Sequence, residues 1–358
     1  MTRVDLRDID VIAPNFKVRL SGVTSTIIQL VPVQRRLGQR IAVIGPGLPA
    51  HLPHASALDL WRLWQATAHG APRVWHARRN LEMLAGIVLR DLLRMKLALV
   101  FTSASQRVHT GWTKFLISRM DGVIAVSGRT AAYLKVPNRT ILHGIDTTRF
   151  SPAPDKEAAR AALGLPNGRF MVGCFGRVRH QKGTDLFVDS MLALLPTRPD
   201  WIAIVAGRAT GKHLGFEAEL KNRVAAAGLS ERILFVGEHT NIPDWYRALD
   251  LFVAPQRWEG FGLTPLEAMA TAVPVVASDV GAFPELIVTG EQETGSIIAR
   301  NDLAAMIAKT GAWMDDETRR IEAASRALVH TRENFSIEGE AGALGEVYAA
   351  AAAGDPIT

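Results

Sequence analysis

Short apolar runs alternate with helical segments along the whole chain. Val11–Pro14 predicts a strand, a helix is expected from about 24 to 37, and Arg40–Ile44 predicts the next strand. A strand, a crossover helix and a second strand form a βαβ unit, which builds a parallel sheet. The second half repeats this alternation from Phe170 onwards, and 358 residues are enough for two domains. The sequence therefore predicts an α/β fold with two domains.

Nine residues from Glu259 to Glu267, which read E-G-F-G-L-T-P-L-E, join a predicted strand to a predicted helix. The apolar run 250–255 precedes them and has the β-branched and aromatic content of a buried strand. Thr264 can serve as the N-cap of the following helix, and Pro265 suits its first position. Two carboxylates therefore flank a loop between a strand and a helix.

The composition of this loop favours an anion. Gly260 and Gly262 let the backbone pass close to a ligand, and a helix start offers free N–H groups and the positive end of its dipole. We therefore expect a phosphate group here, with Glu259 accepting hydrogen bonds from sugar hydroxyls and Glu267 holding a ribose diol. The alternative is that Glu267 only complements the helix dipole and that Glu259 is a solvated loop acid.

A second cluster of cations and glycines follows the predicted strand 170–175. The loop reads G-R-V-R-H-Q-K-G, with Arg177 and Lys182 five positions apart, and a helix is predicted directly after it. Two cations at a strand end, beside a helix start, match a diphosphate whose negative charge grows as its glycosidic bond breaks. A solvated basic loop is the alternative.

Polar side chains also follow two predicted strands of the first half. His76, Arg78 and Arg79 lie in W-H-A-R-R-N at the end of one strand, and His109 lies in the loop after the next. Open α/β sheets bind ligands at the carboxyl ends of their strands. His76 can then orient a sugar, and the two arginines can hold a phosphate or carboxylate of an acceptor. A structural histidine and surface arginines are the alternative.

The charges of the chain are distributed unevenly. Residues 1–170 contain 24 lysines and arginines against 10 acidic residues, whereas residues 171–358 contain 17 against 25. The first half therefore carries about +14 and the second about −8, which predicts an anionic partner for the first half. Nucleic acid, an anionic membrane face and an acidic glycolipid each fit this charge.

The sequence also limits the compartment. The only cysteine, Cys174, excludes a disulfide within the chain. The N-terminal residues include acids and lack the apolar segment of a signal peptide, and no apolar run is long enough to span a membrane. We therefore expect a cytoplasmic protein.

The spacing E-x7-E, with F-G-L inside it and P-L-E-A-M-A after it, resembles the donor site of retaining glycosyltransferases of the GT-B fold, in the family 4 type of glycosyl transferases group 1. The loop G-R-V-R-H-Q-K-G resembles the diphosphate motif of that family. Residues 139–150 resemble its N-G-V-D-x-x-x-F segment, with His143 in place of asparagine, and residues 281–286 resemble its G-G-x-P-E segment. The resemblance spans nearly the whole chain and is strongest from about 139 to 300.

This resemblance implies two Rossmann-like domains that face a cleft. Residues 1–165 are then the acceptor-binding domain, and residues 166–335 are the nucleotide-sugar-binding domain. Residues 336–358 form a C-terminal helix that crosses back to the first domain.

The resemblance also implies roles for individual residues. Many family members carry a histidine for the donor sugar at the end of the strand 97–102, where this chain has S-A-S, so either His109 or His76 is a candidate for that role. The catalytic residues that it implies are Arg177, Lys182, Glu259, His109 and His76. The donor-binding residues that it implies are Gly22, Gly207, Gly260, Phe261, Gly262, Leu263, Thr264 and Glu267.

Two segments of the basic first half, W-H-A-R-R-N and F-T-S-A-S-Q-R-V-H-T, are similar to lipopolysaccharide core mannosyltransferases of alpha-proteobacteria. This implies transfer of mannose from GDP-mannose to an anionic, Kdo-containing lipid by a peripheral protein at the cytoplasmic face of the inner membrane. Neither a metal, a further cofactor nor a nucleic-acid partner is expected. Residues 8–10 spell D-x-D, a metal motif of another glycosyltransferase fold, but they precede the strand at Val11, so we interpret them as a chance match.

Three other interpretations stay open. A glycosyltransferase with a UDP-sugar donor and another acceptor would keep the family. A hydrolysing epimerase of the same fold would release free sugar without an acceptor. A non-catalytic protein that binds anionic lipid or nucleic acid would use only the basic half and would leave the E-x7-E loop unexplained.

Overall fold

The structure is a computed structural model that describes residues 2–18, 22–67 and 69–357. The chain divides into two compact units, of which the first is Met1–Gly144 with Ile337–Thr358 and the second is Ile145–Ser336. Each unit contains one sheet, and the paired strands run parallel in both sheets.

The first unit ends earlier than the predicted boundary between residues 165 and 166. The segment that follows Gly144 packs within the second unit instead. The ring of Phe150 meets that of Tyr246 edge-on, with 6.0 Å between the ring centroids. The guanidinium of Arg247 donates to the backbone oxygens of Arg149 and Ser151 at 2.7 and 2.9 Å. These contacts fix the segment to the second unit, which the polar sequence of a linker did not indicate.

The first sheet has eight strands and the second has six. They are β1 (Thr2–Arg3), β2 (Val11–Pro14), β3 (Ile41–Ile44), β4 (Pro53–His54), β5 (Arg73–Ala77), β6 (Leu97–Ser103), β7 (Gly122–Ala125), β8 (Arg139–Thr140), β9 (Phe170–Phe175), β10 (Trp201–Ala206), β11 (Ile233–Gly237), β12 (Leu251–Ala254), β13 (Val275–Ser278) and β14 (Gly295–Ile298).

The α-helices connect these strands or follow them. They are α1 (Gly22–Arg36), α2 (Asn80–Ile87), α3 (Gly111–Ser118), α4 (Gly128–Ala132), α5 (Lys156–Ala162), α6 (Thr184–Leu194), α7 (Leu214–Ala226), α8 (Ile242–Arg247), α9 (Thr264–Ala270), α10 (Phe283–Leu286), α11 (Leu303–Asp315), α12 (Glu317–Asn334) and α13 (Ile337–Ala353). The first unit also contains a 3-10 helix, Ala57–Trp64, and a π-helical segment, Val88–Leu92.

The first sheet is covered on both faces. The strands β2, β3 and β5 are buried along their whole length, as expected for continuous apolar runs in a parallel sheet. The helices α1 and α13 share one core with one face of the sheet. The helices α2 and α3 and the 3-10 helix share a second core with the other face.

Each sheet changes direction at one point. The order β1-β4-β3-β2-β5-β6-β7-β8 reverses between β2 and β5, and the order β11-β10-β9-β12-β13-β14 reverses between β9 and β12. At such a switch point the two connections leave to opposite sides, and ligands of open α/β sheets bind beside the carboxyl ends of the two strands. The topology therefore directs attention to the loops after Pro14 and Ala77 in the first unit, and after Phe175 and Ala254 in the second.

The predicted return of the last helix to the first domain is confirmed, because α13 packs against α1, β5 and β6. The hydroxyl of Tyr348 in α13 is hydrogen-bonded to Nδ1 of His76 at 2.7 Å and accepts from Nε2 of Gln34 at 3.3 Å. These three side chains are buried. Polar as well as apolar contacts therefore bind α13 to the first unit.

Within the described part of the chain, none of the helices combines the length and the apolar character that crossing a bilayer requires.

Replacing Tyr348 by phenylalanine tests this polar contact. Tyr348→Phe keeps the ring but leaves Nδ1 of His76 without its partner in the core, so the free energy of unfolding should fall by about 1–3 kcal/mol. The urea midpoint measured by circular dichroism reports the change. Tyr133→Phe, at a ring that is exposed, is the matched control and should leave the midpoint unchanged. Equal midpoints for both variants would contradict the structural role of the hydroxyl.

Candidate active site

Two charged side chains meet at the switch point of the second sheet. Lys182 lies in the loop that follows β9, and Glu259 lies in the loop that follows β12. The Nζ atom of Lys182 donates to Oε2 of Glu259, although 77 positions separate the two residues. Both side chains are about one-fifth exposed. The structure therefore brings together two residues that the sequence predicted to be catalytic.

The two loops are held together by backbone and side-chain contacts. Gly183 has φ +72°, and a Cβ atom on it would lie 1.9 Å from the backbone oxygen of Pro255, so only glycine permits this approach. The backbone N–H of Arg257 donates to the oxygen of Gln181 at 3.0 Å. Its guanidinium binds both carboxylate oxygens of Asp185 at 2.7 and 2.8 Å, which is a strong bidentate arrangement. Sequence reasoning missed Arg257 and Asp185, because nothing near either residue identifies the other.

The E-x7-E loop is also shaped by its own packing. The backbone N–H of Gly260 donates to Oε1 of Glu259 at 3.1 Å, and the ring of Phe261 is buried. Gly262 has φ +91°, and a Cβ atom on it would lie 2.2 Å from Cε1 of Phe283. The protein itself therefore requires glycine at 262, whether or not a ligand approaches.

The helix after this loop begins one residue earlier than predicted. The sequence predicted Thr264 as the N-cap, whereas Thr264 is the first residue of α9 and Leu263 occupies the cap position without a side-chain hydrogen bond. The Thr264 hydroxyl instead accepts from Nε2 of Gln256 at 3.5 Å. Pro265 lies in the first turn, as predicted.

Glu267 in α9 is bonded to a buried tyrosine. The hydroxyl of Tyr246, in α8, donates to Oε2 of Glu267 at 2.8 Å. Burial raises the pKa of the Glu267 carboxyl, and this hydrogen bond together with the charges of Arg149 and Lys182 opposes that rise. The carboxyl is thus kept in place but is costly to ionise. The sequence offered no signal for Tyr246 as its partner.

The loop after β9 carries cations that lack acidic partners. Arg177 is exposed and makes no ion pair with a described residue. The Nε atom of Arg179 is buried without a hydrogen-bond partner among those residues. Burial lowers the pKa of Arg179, and the neighbouring charge of Arg177 adds to this effect. Of the cations in this loop, Lys182 has a carboxylate partner, so the loop keeps a positive field that suits an anionic ligand.

Gly207 and the turn after β11 lie at the same edge of the sheet. The backbone N–H of Gly207 donates to the oxygen of Gly237 at 2.6 Å. Beyond Gly237, the rings of His239 and Trp245 pack with 4.5 Å between their centroids. By the family resemblance this turn lies near the nucleobase, and the aromatic pair supplies a flat surface there.

A separate polar cluster occupies the switch point of the first sheet. Nη1 of Arg79, after β5, donates to Oδ1 of Asn15, after β2, at 2.9 Å and to Oε1 of Glu82 at 2.7 Å. Nη2 of Arg79 donates to the Thr24 hydroxyl at 3.1 Å. Glu82 is fully buried, and its second oxygen accepts from the backbone N–H of Arg78 at 2.7 Å. The sequence predicted the two arginines at this edge but not Asn15 or Glu82.

The two candidate histidines differ in their surroundings. His76 is buried, and its ring nitrogens contact the hydroxyls of Tyr348 and Thr102, each at 2.7 Å. Burial lowers its pKa well below the usual value. These contacts give His76 a structural role and leave neither ring nitrogen for a sugar, so the expectation that it orients a sugar is not supported.

His109 keeps an open hydrogen-bonding position. Its Nε2 atom is buried and has no partner in the described part of the chain. Burial and the charges of Arg107 and Lys114 lower the pKa of the ring, which favours neutral imidazole. His109 is therefore the histidine whose surroundings agree with the predicted role.

Gly22 is the first residue of α1, and the residues 19–21 before it lie outside the described ones. A Cβ atom on Gly22 would meet no heavy atom within 4 Å. The protein itself therefore does not require glycine at this position, unlike at 262.

Groups of three or more histidine, cysteine, aspartate or glutamate side chains that could hold a metal ion do not occur in residues 2–18, 22–67 and 69–357. The thiol of Cys174 is buried, and burial raises its pKa to about 12.

Comparisons with known proteins agree with this arrangement. Residues 155–328 match the family described as glycosyl transferases group 1. The lipopolysaccharide core biosynthesis mannosyltransferase LpsB of Rhizobium meliloti (strain 1021) is 71% identical over 345 residues, which cover 96% of this chain and 98% of that protein. The lipopolysaccharide core biosynthesis mannosyltransferase LpcC of Rhizobium leguminosarum bv. viciae is 56% identical over 344 residues, covering 96% and 97%.

A solved structure supports the fold. The crystal structure of HepE from Anabaena in complex with UDP has a TM-score of 0.81 and 21% identity, and the match covers 96% of this chain and all of that one. The predicted fold and family are confirmed: this chain has the two Rossmann-like domains of the GT-B fold and belongs to the group 1 glycosyltransferases.

Proposed function

We propose that this protein transfers mannose from GDP-mannose, with retention of configuration, to an anionic, Kdo-containing lipid of the lipopolysaccharide core. The observation that carries this proposal is the near full-length identity with two relatives that are named lipopolysaccharide core biosynthesis mannosyltransferases. On this proposal the protein acts as a peripheral protein at the cytoplasmic face of the inner membrane and requires no metal.

The cations after β9 support departure of a diphosphate. As the glycosidic bond breaks, negative charge grows on the leaving group, and fixed cations nearby lower the barrier. Lys182, Arg177 and Arg179 lie on one short loop, and among them Lys182 makes an ion pair with a described residue, Glu259. A bound diphosphate would give all three cations an anionic partner.

The glutamates of the site support transfer without a covalent sugar–enzyme intermediate. A double displacement would need a free carboxylate as its nucleophile. Glu259 is paired with Lys182, and Glu267 is bonded to Tyr246 and has a raised pKa. Attack by the acceptor on the face from which the diphosphate leaves would explain retention, with Glu259 and His109 as contacts for the sugar.

The first unit supports an anionic acceptor. Arg78, at the carboxyl end of β5, makes no ion pair with a described residue, whereas Arg79 beside it is neutralised by Glu82. Arg78 is therefore the cation at this edge that can take a phosphate or carboxylate of the acceptor. The excess of basic residues in the first half adds a wider attraction for such a lipid.

The donor can be tested by the stability that it confers. A ligand at one hundred times its dissociation constant adds about 2.7 kcal/mol to the free energy of unfolding. We expect GDP-mannose to raise the thermal midpoint more than UDP-sugars or ADP-sugars do, and transfer of radiolabelled mannose to a Kdo-containing lipid to follow. A response to a UDP-sugar alone would keep the family and reject the donor. Release of free mannose at the same rate without acceptor would favour a hydrolysing epimerase.

The role of Lys182 predicts a large loss of turnover. Lys182→Ala removes one contact to the leaving diphosphate, which costs about 3 kcal/mol in the barrier, so kcat should fall at least a hundredfold, on the order of that energy. The measurement is mannose transfer at saturating donor. Lys309→Ala removes an exposed lysine of α11 and should retain kcat. Near-normal turnover of Lys182→Ala would refute the assignment.

The raised pKa of Glu267 predicts a pH-dependent gain in stability when its charge is removed. As pH rises above the ordinary value of about 4.3, glutamate 267 ionises first in the unfolded chain, so the wild-type protein loses stability until the folded pKa is passed. Without ligand, Glu267→Gln should therefore match the wild type at pH 4 and unfold at a higher temperature at pH 8.

The same substitution should weaken the donor. A carboxylate accepts two hydroxyl groups of a ribose better than an amide does, so Glu267→Gln should bind GDP-mannose at least tenfold more weakly in calorimetric titration. Glu333→Gln, at an exposed glutamate of α12, is the control for both measurements. A lower midpoint than the wild type at pH 8 would show that the charged form of Glu267 stabilises the fold.

A further inference from the structure

An apolar cavity of about 910 Å³ lies in the first unit. Its lining belongs to the core on the face of the sheet opposite α1 and α13. The volume is within the range of roughly 300–1,000 Å³ that is common for ligand pockets. The large side chains of the lining are Phe16, Ile44, Leu60, Trp75, Leu84 and Leu89.

The polar side chains of the lining are already engaged. Nε2 of His54 contacts the backbone oxygen of Pro49 at 2.9 Å, and the Ser56 hydroxyl accepts from the backbone N–H of Leu58 at 3.2 Å. The indole N–H of Trp75 donates to the oxygen of Glu82 at 2.8 Å. A sugar or a nucleotide in this cavity would lose hydrogen bonds to water without replacing them. The cavity therefore fits an apolar ligand.

The two walls of the cavity carry exposed apolar side chains. The 3-10 helix Ala57–Trp64 exposes Leu58, Trp61 and Trp64, and the π-helical segment with the residue after it exposes Leu92 and Leu93. Leu58 is 82% exposed and Leu92 is 73% exposed. The indole N–H of Trp64 donates to the oxygen of Leu93 at 2.6 Å, which joins the walls. Grouped exposure of this kind marks a surface that meets an apolar partner.

The neighbouring helix α3 extends this surface. Its rings Trp112 and Phe115 are half exposed and stack with 5.7 Å between their centroids. The Asn80 side chain at the start of α2 donates to the hydroxyl of Thr113 in α3 at 2.8 Å. The exposed rings therefore lie on a helix that is bound to a wall of the cavity.

The charges on this side of the unit are positive. Between residues 80 and 119 the acidic residues are Glu82 and Asp91, and both are in ion pairs. The exposed cations Arg94, Lys96, Arg107 and Lys114 make no ion pair with a described residue. Lysine and arginine beside a membrane attract anionic headgroups, and tryptophan is enriched where apolar and polar phases meet.

We propose that this cavity takes one acyl chain of an anionic membrane lipid, whose headgroup is held by the exposed cations beside it. The inference deepens the proposed action on a membrane lipid, because it identifies where the first unit receives the apolar part of such a lipid. It predicts binding that needs the chain and not the headgroup alone.

A lipid that quenches tryptophan fluorescence tests the proposal. Lysophosphatidylglycerol with bromine atoms on its single chain, below the concentration at which it forms micelles, should bind the full-length protein one to one and quench Trp75. Ala85, which lines the cavity, provides the variant: Ala85→Phe fills the space and should weaken binding at least tenfold. Ala162→Phe, at an exposed position of α5, is the matched control and should bind as the wild type does.

Further arms separate the possible outcomes. Equal affinity of Ala85→Phe and wild type would overturn the proposal, and so would competition by glycerol 3-phosphate as strong as that of the whole lipid. A wild-type dimer in sedimentation that excludes the lipid would assign the surface to a second copy of the chain instead. Ala57→Trp blocks the cavity from the 3-10 helix and replaces Ala85→Phe if that variant does not fold. Donor binding by the same variants tests the proposed function separately, since GDP-mannose should still raise their thermal midpoints.

Discussion

The contact between Lys182 and Glu259 depends on the order of the strands in the second sheet. The chain leaves β9 towards β10 and later returns to β12 on the other side of β9, so the loops after β9 and β12 meet at one edge. Gly183 permits their close approach, and the pair of Arg257 with Asp185 keeps them together. A different strand order would separate the same motif residues. The topology, and not the motif alone, therefore builds the site.

The first sheet follows the same rule with different side chains. Asn15 after β2 and Arg79 after β5 meet at its switch point, where the buried Glu82 holds Arg79. Burying a carboxylate is costly, and the cost is offset only when its partners are well placed. Glu82 accepts from the Arg79 guanidinium and from the backbone of Arg78, which meets this condition. At this edge the unneutralised cation is Arg78, which local sequence could not distinguish from its neighbour.

The sequence predicted those parts of the structure that depend on neighbouring residues. Apolar runs identified the strands, and the E-x7-E spacing identified the loop and α9, with an error of one residue at Thr264. Contacts between distant residues were missed, because the 72 positions between Asp185 and Arg257 contain no local trace of their pairing. Tyr246 was likewise not identified as the partner of Glu267. His76 shows the opposite error, since its position at a strand end suggested a ligand contact, while α13 covers it with Tyr348.

In the proposed reaction, the ion pair at the switch point would change partners when the donor binds. Without a donor, Lys182 and Glu259 satisfy each other, so neither charge is left unpaired in a partly buried site. A diphosphate offers Lys182 a second anion, and Arg177 adds attraction without giving up an acidic partner. Glu259 would then be free to accept hydrogen bonds from the sugar. Because the exchanging groups are already in contact, the site needs little rearrangement, which is the condition for strong electrostatic stabilisation of a leaving group.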